Sequence, residues 1–142
     1  MKFDLSSTPL RDVYNLMIGL VAPRPIALVT TLGPSGCVNA APFSAYNYLC
    51  LDPPIVGLGV QAGGREGAEL KDTARNIEAL GEFVVNVVSA DLARRMNVCA
   101  VDFPPQVSEL EMAGLTPEAS SLVSVPRIKE APAALECRLY QT

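Results

Sequence analysis

Short runs of branched and aromatic residues, each cut off by proline or glycine, commit this chain to a sheet more strongly than any other feature. The run PIALVTTL at residues 25–32 is closed by Gly33-Pro34-Ser35-Gly36, and EFVVNVV at residues 82–88 follows Gly81. Branched side chains suit a pleated, half-buried surface, and turn formers at each end keep the strands short. The same reading predicts a strand from Cys37 onward, one over residues 55–60 and a last one over residues 133–140. The stretch CVNAAPFSAYNYL is unusual for a core strand. Pro42 removes a ladder donor, which places it at an edge or bulge, and small and polar residues stand where Val and Ile would fill a core.

Helical periodicity appears three times. Over residues 8–20, Thr8 is in place to cap, Pro9 suits the first turn, and Leu10, Val13, Tyr14, Met17 and Leu20 share one face read as core. The Ala22-Pro23-Arg24-Pro25 segment ends that helix. Over residues 72–80, Asp72 or Thr73 is expected to cap, Ile77 and Leu80 to face inward, and Gly81 to stop the helix. A glycine-rich loop over residues 61–69 precedes it. Residues 89–97 predict a short helix with Leu92 and Met96 inward, and residues 98–126 read as a long excursion over the surface. The sum is a mainly β single domain, a small antiparallel barrel with peripheral helices.

Composition narrows the chemistry. The net charge of -4, with no basic cluster, argues against a nucleic-acid partner. No apolar run approaches the ~18–20 residues that span a bilayer, and MKFDLSSTPLRD lacks the apolar core of a secretory signal, so no membrane association and a cytoplasmic location are expected. Cys37, Cys50, Cys99 and Cys137 form no C-x-x-C pair and read as free thiols. The chain has no histidine. That removes Ser-His-Asp and Cys-His relays, His-ligated metal sites and histidine acid–base catalysis, and favours a protein that borrows its chemistry from a cofactor. No metal site is expected and no catalytic side chain is assigned.

Two segments could hold such a cofactor. Lys71-Asp72-Thr73, with Asn76 one turn later, puts a cation and hydroxyl and amide donors at a helix N-terminus, where unpaired N–H groups favour a phosphate; an ordinary capped surface helix is the competing reading. Asn39-Ala40-Ala41-Pro42-Phe43-Ser44 would let a flat ring lie against backbone, with Asn39 and Ser44 as donors; the competing reading is a ligand-free edge bulge. Tyr46, Asn47 and Tyr48 fit either stacking or a subunit interface. Arg24 fits an anion contact or a structural ion pair.

The order of motifs resembles flavin reductase-like, flavoredoxin-type proteins. The resemblance is carried by Ala22-Pro23-Arg24-Pro25-Ile26-Ala27-Leu28-Val29-Thr30-Thr31, Gly36-x-x-Asn39-x-Ala41-Pro42-Phe43-Ser44, Asp52-Pro53-Pro54 and Lys71-Asp72-Thr73-x-x-Asn76-Ile77. It continues through Gly81-Glu82-Phe83-Val84-Val85-Asn86, Glu109-x-x-x-Ala113-Gly114-Leu115, Pro126-Arg127-Ile128 and Leu135-Glu136-Cys137. It implies a homodimeric split β-barrel that holds FMN, with FAD as the alternative, near the subunit interface. Asn39, Ala41, Pro42, Phe43 and Ser44 would line the ring and ribityl region, Thr30 and Thr31 would approach from the next strand, and Lys71, Asp72, Thr73 and Asn76 would hold the phosphate. The implied activity is reduction of flavin by NADH or NADPH, or electron passage through bound FMN to an acceptor such as a partner monooxygenase. A non-enzymatic flavin-binding or electron-carrier barrel, or an inactive fragment, is the alternative. The sequence has no G-x-G-x-x-G fingerprint, so the nicotinamide donor rests on the resemblance alone. Members of the family run past the equivalent of Tyr140, which implies a chain truncated at its C-terminus relative to them.

Overall fold

The computed structural model describes residues 2–61, 63 and 70–142. The glycine-rich stretch expected before the second long helix lies mostly outside the described residues. Among them, no helix is long and apolar enough to cross a membrane.

The first helix, α1 (Leu10–Leu20), is followed by β1 (Ala27–Leu32), β2 (Val38–Phe43), β3 (Tyr46–Leu51) and β4 (Pro54–Leu58). Then come α2 (Asp72–Leu80), β5 (Glu82–Val87), a 3-10 turn at Ala90–Leu92, α3 (Ala93–Val98) and α4 (Glu109–Ala113). The two-residue strands β6 (Pro117–Glu118) and β7 (Arg127–Ile128) and the longer β8 (Ala134–Arg138) complete the order. The main sheet runs β2-β1-β5-β8, and each of its pairings is antiparallel. The β3–β4 hairpin and the β6–β7 pair stand apart from it.

Central position explains the make-up of β1. Ala27, Leu28, Val29, Thr30 and Thr31 are all buried, because both faces of the sheet are covered. On one face Leu28 and Ala40 pack with Leu92, Leu110, Leu115 and Ile128. On the other, Ala27 and Val29 pack with Ile77, Phe83 and Val85, with Phe43, Tyr46 and Leu58 at the margin. Alternation along a strand assigns each residue its side.

Several expectations need correction. The stretch from Cys37 does not continue as one strand: β2 ends at Phe43 and β3 opens a separate hairpin, so the chain changes sheet just after Pro42. Thr8 does not cap α1; its hydroxyl donates to the Asp4 carbonyl, and Pro9 is the N-cap residue, its carbonyl accepting from the Val13 amide. The apolar face of α1 is not core, since none of its residues is buried and Leu10 is 84% exposed. α2 starts from Lys71 rather than from a side-chain cap at Asp72 or Thr73. Its inward row is Thr73, Asn76 and Ile77, and Leu80, on the same stripe but at the last position of the helix, is exposed. Gly81 does end the helix, in the left-handed conformation that a side chain would penalise. Residues 98–126 are not a surface excursion: Cys99, Leu110, Ala113 and Leu115 are buried and close one face of the sheet, and Val125 is buried as well. Only Leu110 and Ala113 lie in a helix and the others in turns and loops, so no period-2 alternation marks them.

Candidate functional site

β2 is an edge strand, as Pro42 demands, and a cleft of about 390 Å³ runs along it. One wall is Asn39, Ala41, Pro42 and Phe43; the floor is the N-terminus of α2, with Lys71, Asp72, Thr73 and Arg75; the far wall is residues 99–103 with Pro105 and Glu109. The two segments singled out in the sequence therefore border one space. They also touch: the Asn39 side-chain amide donates to the Thr73 hydroxyl at 3.2 Å. Thr73 is 2% exposed, and no side chain among the described residues caps α2. The first amides of that helix have no intrahelical acceptor, and together with the helix dipole they form an electropositive end. Asp72, in the first turn, is paired with Arg75, which removes part of the carboxylate's opposition to an anion there.

The remaining residues of the expected set take supporting places. Thr31 is fully buried and accepts a hydrogen bond at 3.1 Å from Asn76, which fixes α2 against β1 behind the cleft. Thr30 points to the opposite face, where its hydroxyl donates to the Pro126 carbonyl at 2.7 Å and accepts from Asn86. Strand alternation sends the Thr30 and Thr31 side chains to opposite faces of the sheet. Ser44 lies outside the cleft lining, and its hydroxyl accepts from the Arg24 Nε at 3.1 Å. The Arg24 guanidinium also donates to the Ile18 and Val21 carbonyls at the end of α1. Arg24 thus caps a helix C-terminus, a role different from an ion pair or an anion contact.

The far wall was missed in the sequence because residues 98–126 read as surface. Its most informative residue is Glu109, buried, whose Oε2 accepts from the Ala40 amide at 2.9 Å. Beside it, the Ser108 hydroxyl donates to the Val38 carbonyl at 2.8 Å. Two side chains thereby occupy edge groups of β2 that a further strand would otherwise use. Cys99 is buried in the same wall, and desolvation, helped by the nearby Glu109, pushes its thiol up to about 11. It is a neutral packing thiol at physiological pH. Among the described residues, no group of three or more acidic or cysteine side chains could hold a metal ion.

The fold recurs in known proteins. Nitrilotriacetate monooxygenase component B from Bacillus cereus superposes with a TM-score of 0.93 at 37% identity, covering 99% of this chain and 68% of that one. The 2-nitrobenzoate 2-nitroreductase of Pseudomonas fluorescens gives 0.85 at 41% identity, covering 99% and 66%. A putative flavin reductase with split barrel domain from Shewanella frigidimarina shares the fold at 22% identity and a TM-score of 0.82, covering 99% and 69%. The chain thus spans about two thirds of the length of each of these proteins. Residues 20–142 match the family described as flavin reductase like domain. A mainly β chain of split-barrel fold, with antiparallel strands, peripheral helices and this ordered set of motifs, belongs to the flavin reductase-like family.

Proposed function

We propose that the chain is one flavin reductase-like domain that binds FMN in the β2–α2 cleft and serves as an NAD(P)H-dependent oxidoreductase. The observation that carries this reading is the shared cleft itself: a wall of small residues at Asn39 and Ala41 meets an electropositive helix end at Lys71–Thr73, through the Asn39–Thr73 hydrogen bond. The residues fit the group. About 390 Å³ falls within the ~300–1,000 Å³ typical of small-molecule sites, and the two ends differ in the way a flat ring and an anionic tail differ. Ala41, Pro42 and Phe43 would support the ring, Asn39 and Thr73 would donate to the cofactor's polar edge, and Lys71 with the α2 amides would take the phosphate. When bound, flavin supplies the redox chemistry, accepting an electron pair from NADH or NADPH and passing it on.

FMN is the cofactor we propose, with FAD as the alternative; a phosphate anchor separates both from riboflavin. We read the electron acceptor as a partner monooxygenase or a comparable electron-accepting protein, on the likeness to a monooxygenase component. A homodimer is supported by two large uncovered apolar surfaces, α1 with Leu10 and Leu20, and β3 with Leu49 and Leu51, all more than two-thirds exposed. The four free thiols favour the cytoplasm.

Titration with FMN and with riboflavin tests the cleft. Lys71→Ala removes one exposed cation, worth about 1 kcal/mol after solvent screening, so FMN affinity should fall roughly 5-fold while riboflavin affinity holds. Equal losses for both flavins remove Lys71 from the phosphate end. Failure of the unmodified protein to bind either flavin ends the proposal. Oxidation of NADH or NADPH with added flavin then separates a reductase from an electron carrier, whose yellow colour survives desalting.

A further inference from the structure

We infer that Glu109, assisted by Ser108, is a positioning residue that sets the width of the flavin cleft. The inference rests on the cleft reading above and adds to it a part played by the opposite wall.

Glu109 opens α4, and its carboxylate crosses to the Ala40 amide on the outward edge of β2 at 2.9 Å. Ala40 lies in the middle of the segment whose neighbours, Asn39 and Ala41, form the cleft's small-residue wall. Glu109 itself lines the opposite wall, so one hydrogen bond ties the two sides together. Ser108 makes the second tie, to the Val38 carbonyl at 2.8 Å. Ser108 is the N-cap residue of α4, a position where a serine hydroxyl normally accepts from an amide of its own helix. Here it makes no such bond. The hydroxyl's one bond goes to β2 and none to its own helix, which points to a constraint between elements rather than within α4.

The pair reads β2 as a neighbouring strand would, an acceptor for Ala40 and a donor for Val38, and Pro42 two residues on presents no N–H at all. The edge is therefore closed with side chains instead of a strand, which leaves the space beside Asn39–Phe43 open as a cleft. Without the carboxylate, the Ala40 amide loses its acceptor on the far wall. Among the described hydrogen bonds, only the Ser108 tie to Val38 then still joins β2 to the start of α4, so β2 is freer to shift relative to residues 99–105.

The test is flavin affinity in Glu109→Ala, Glu109→Gln and Ser108→Ala, each titrated with FMN and riboflavin below its melting temperature. Glu109→Ala is expected to weaken both flavins by roughly 10-fold and equally, because the ring wall moves while the phosphate end stays. Glu109→Gln should recover most of that loss, since its carboxamide oxygen can still accept from Ala40. Ser108→Ala should lose about 3-fold, and it keeps the question open to experiment should Glu109→Ala fail to fold. Glu136→Ala is the control: it releases the Ser121 and Leu122 amides remote from the cleft, so it should lower the melting temperature without changing either affinity. If the unmodified protein binds flavin and Glu109→Ala binds it as tightly, the inference is overturned and the cleft reading stands. A Gln variant as weak as the Ala variant, or a control that loses affinity as much as Glu109→Ala does, also overturns it. An unmodified protein that binds no flavin overturns the cleft reading instead.

Discussion

Asn86 offers the sharpest stability experiment on this fold. It is completely buried on β5, its side-chain amide donates to the Leu28 carbonyl at 3.0 Å and to the Thr30 hydroxyl at 3.2 Å, and its oxygen accepts from the Ile128 amide at 2.8 Å. One side chain therefore ties β5, β1 and β7 on the face opposite α2. Asn86→Leu keeps the number and branching of side-chain heavy atoms, with somewhat more volume, and removes all three bonds. The Leu28 carbonyl remains within the β1–β5 ladder and Thr30 keeps its bond to Pro126, so their losses are small. The Ile128 amide is left buried without this acceptor, a cost of ~1–3 kcal/mol. With about 1 kcal/mol for the other two bonds, the total is roughly 2–4 kcal/mol. For a chain of this size that lowers the melting temperature by about 10 °C. Urea unfolding followed by circular dichroism should show an earlier midpoint at unchanged slope. A loss below ~1 kcal/mol would refute the accounting, because it would mean that the Ile128 amide finds another acceptor at little cost.

Two further outcomes follow from the same reasoning. Glu136 accepts from the Ser121 and Leu122 amides and Glu82 from Ser124, and these bonds hold both carboxyls below their ordinary value of 4.5. A depressed folded-state value means that the contribution is present above about pH 4.5 and is lost as pH falls through the folded-state values. Hydrogen-exchange protection of Ser121, Leu122 and Ser124 should therefore decline in mild acid before the β1 amides lose theirs; simultaneous loss would contradict the assignment. In the β3–β4 hairpin, a Cβ added at Gly59 would lie 2.9 Å from the Ala45 Cβ, and one added at Gly57 would lie 2.9 Å from the Leu49 Cδ1. Leu49 is exposed and can swing away, whereas Ala45 is held by the Gly59 amide on its carbonyl at 2.7 Å. Gly59→Ala should destabilise by ~1–3 kcal/mol and Gly57→Ala by less, read as thermal midpoints; the reverse order would count against this packing.

Much of the site was legible because it is local. Pro42 announces an edge, the small residues around it announce a wall that is not core, and Lys71-Asp72-Thr73 announces the start of a helix with donors to spare. Each signal comes from residues within one turn or one strand. The far wall gave no comparable signal. Glu109 looks like any acidic residue at the start of a helix, and Cys99 like any packing thiol, until folding brings them against β2. The sorting of Thr30 from Thr31 lies between these cases, since alternation separates them in advance but only the packed sheet says which side faces α2.

Family, strand-rich class and the two cleft-bordering segments were thus set by the order and spacing of residues, because turn chemistry, helix ends and proline's missing donor act over a few bonds. Pairing order, the split of residues 37–51 between two sheets, the burial of residues 99–125 and the juxtaposition of the two segments came only with tertiary structure. Those depend on contacts between residues as far apart as Ala40 and Glu109, and no local pattern encodes which distant carboxylate will meet an edge amide.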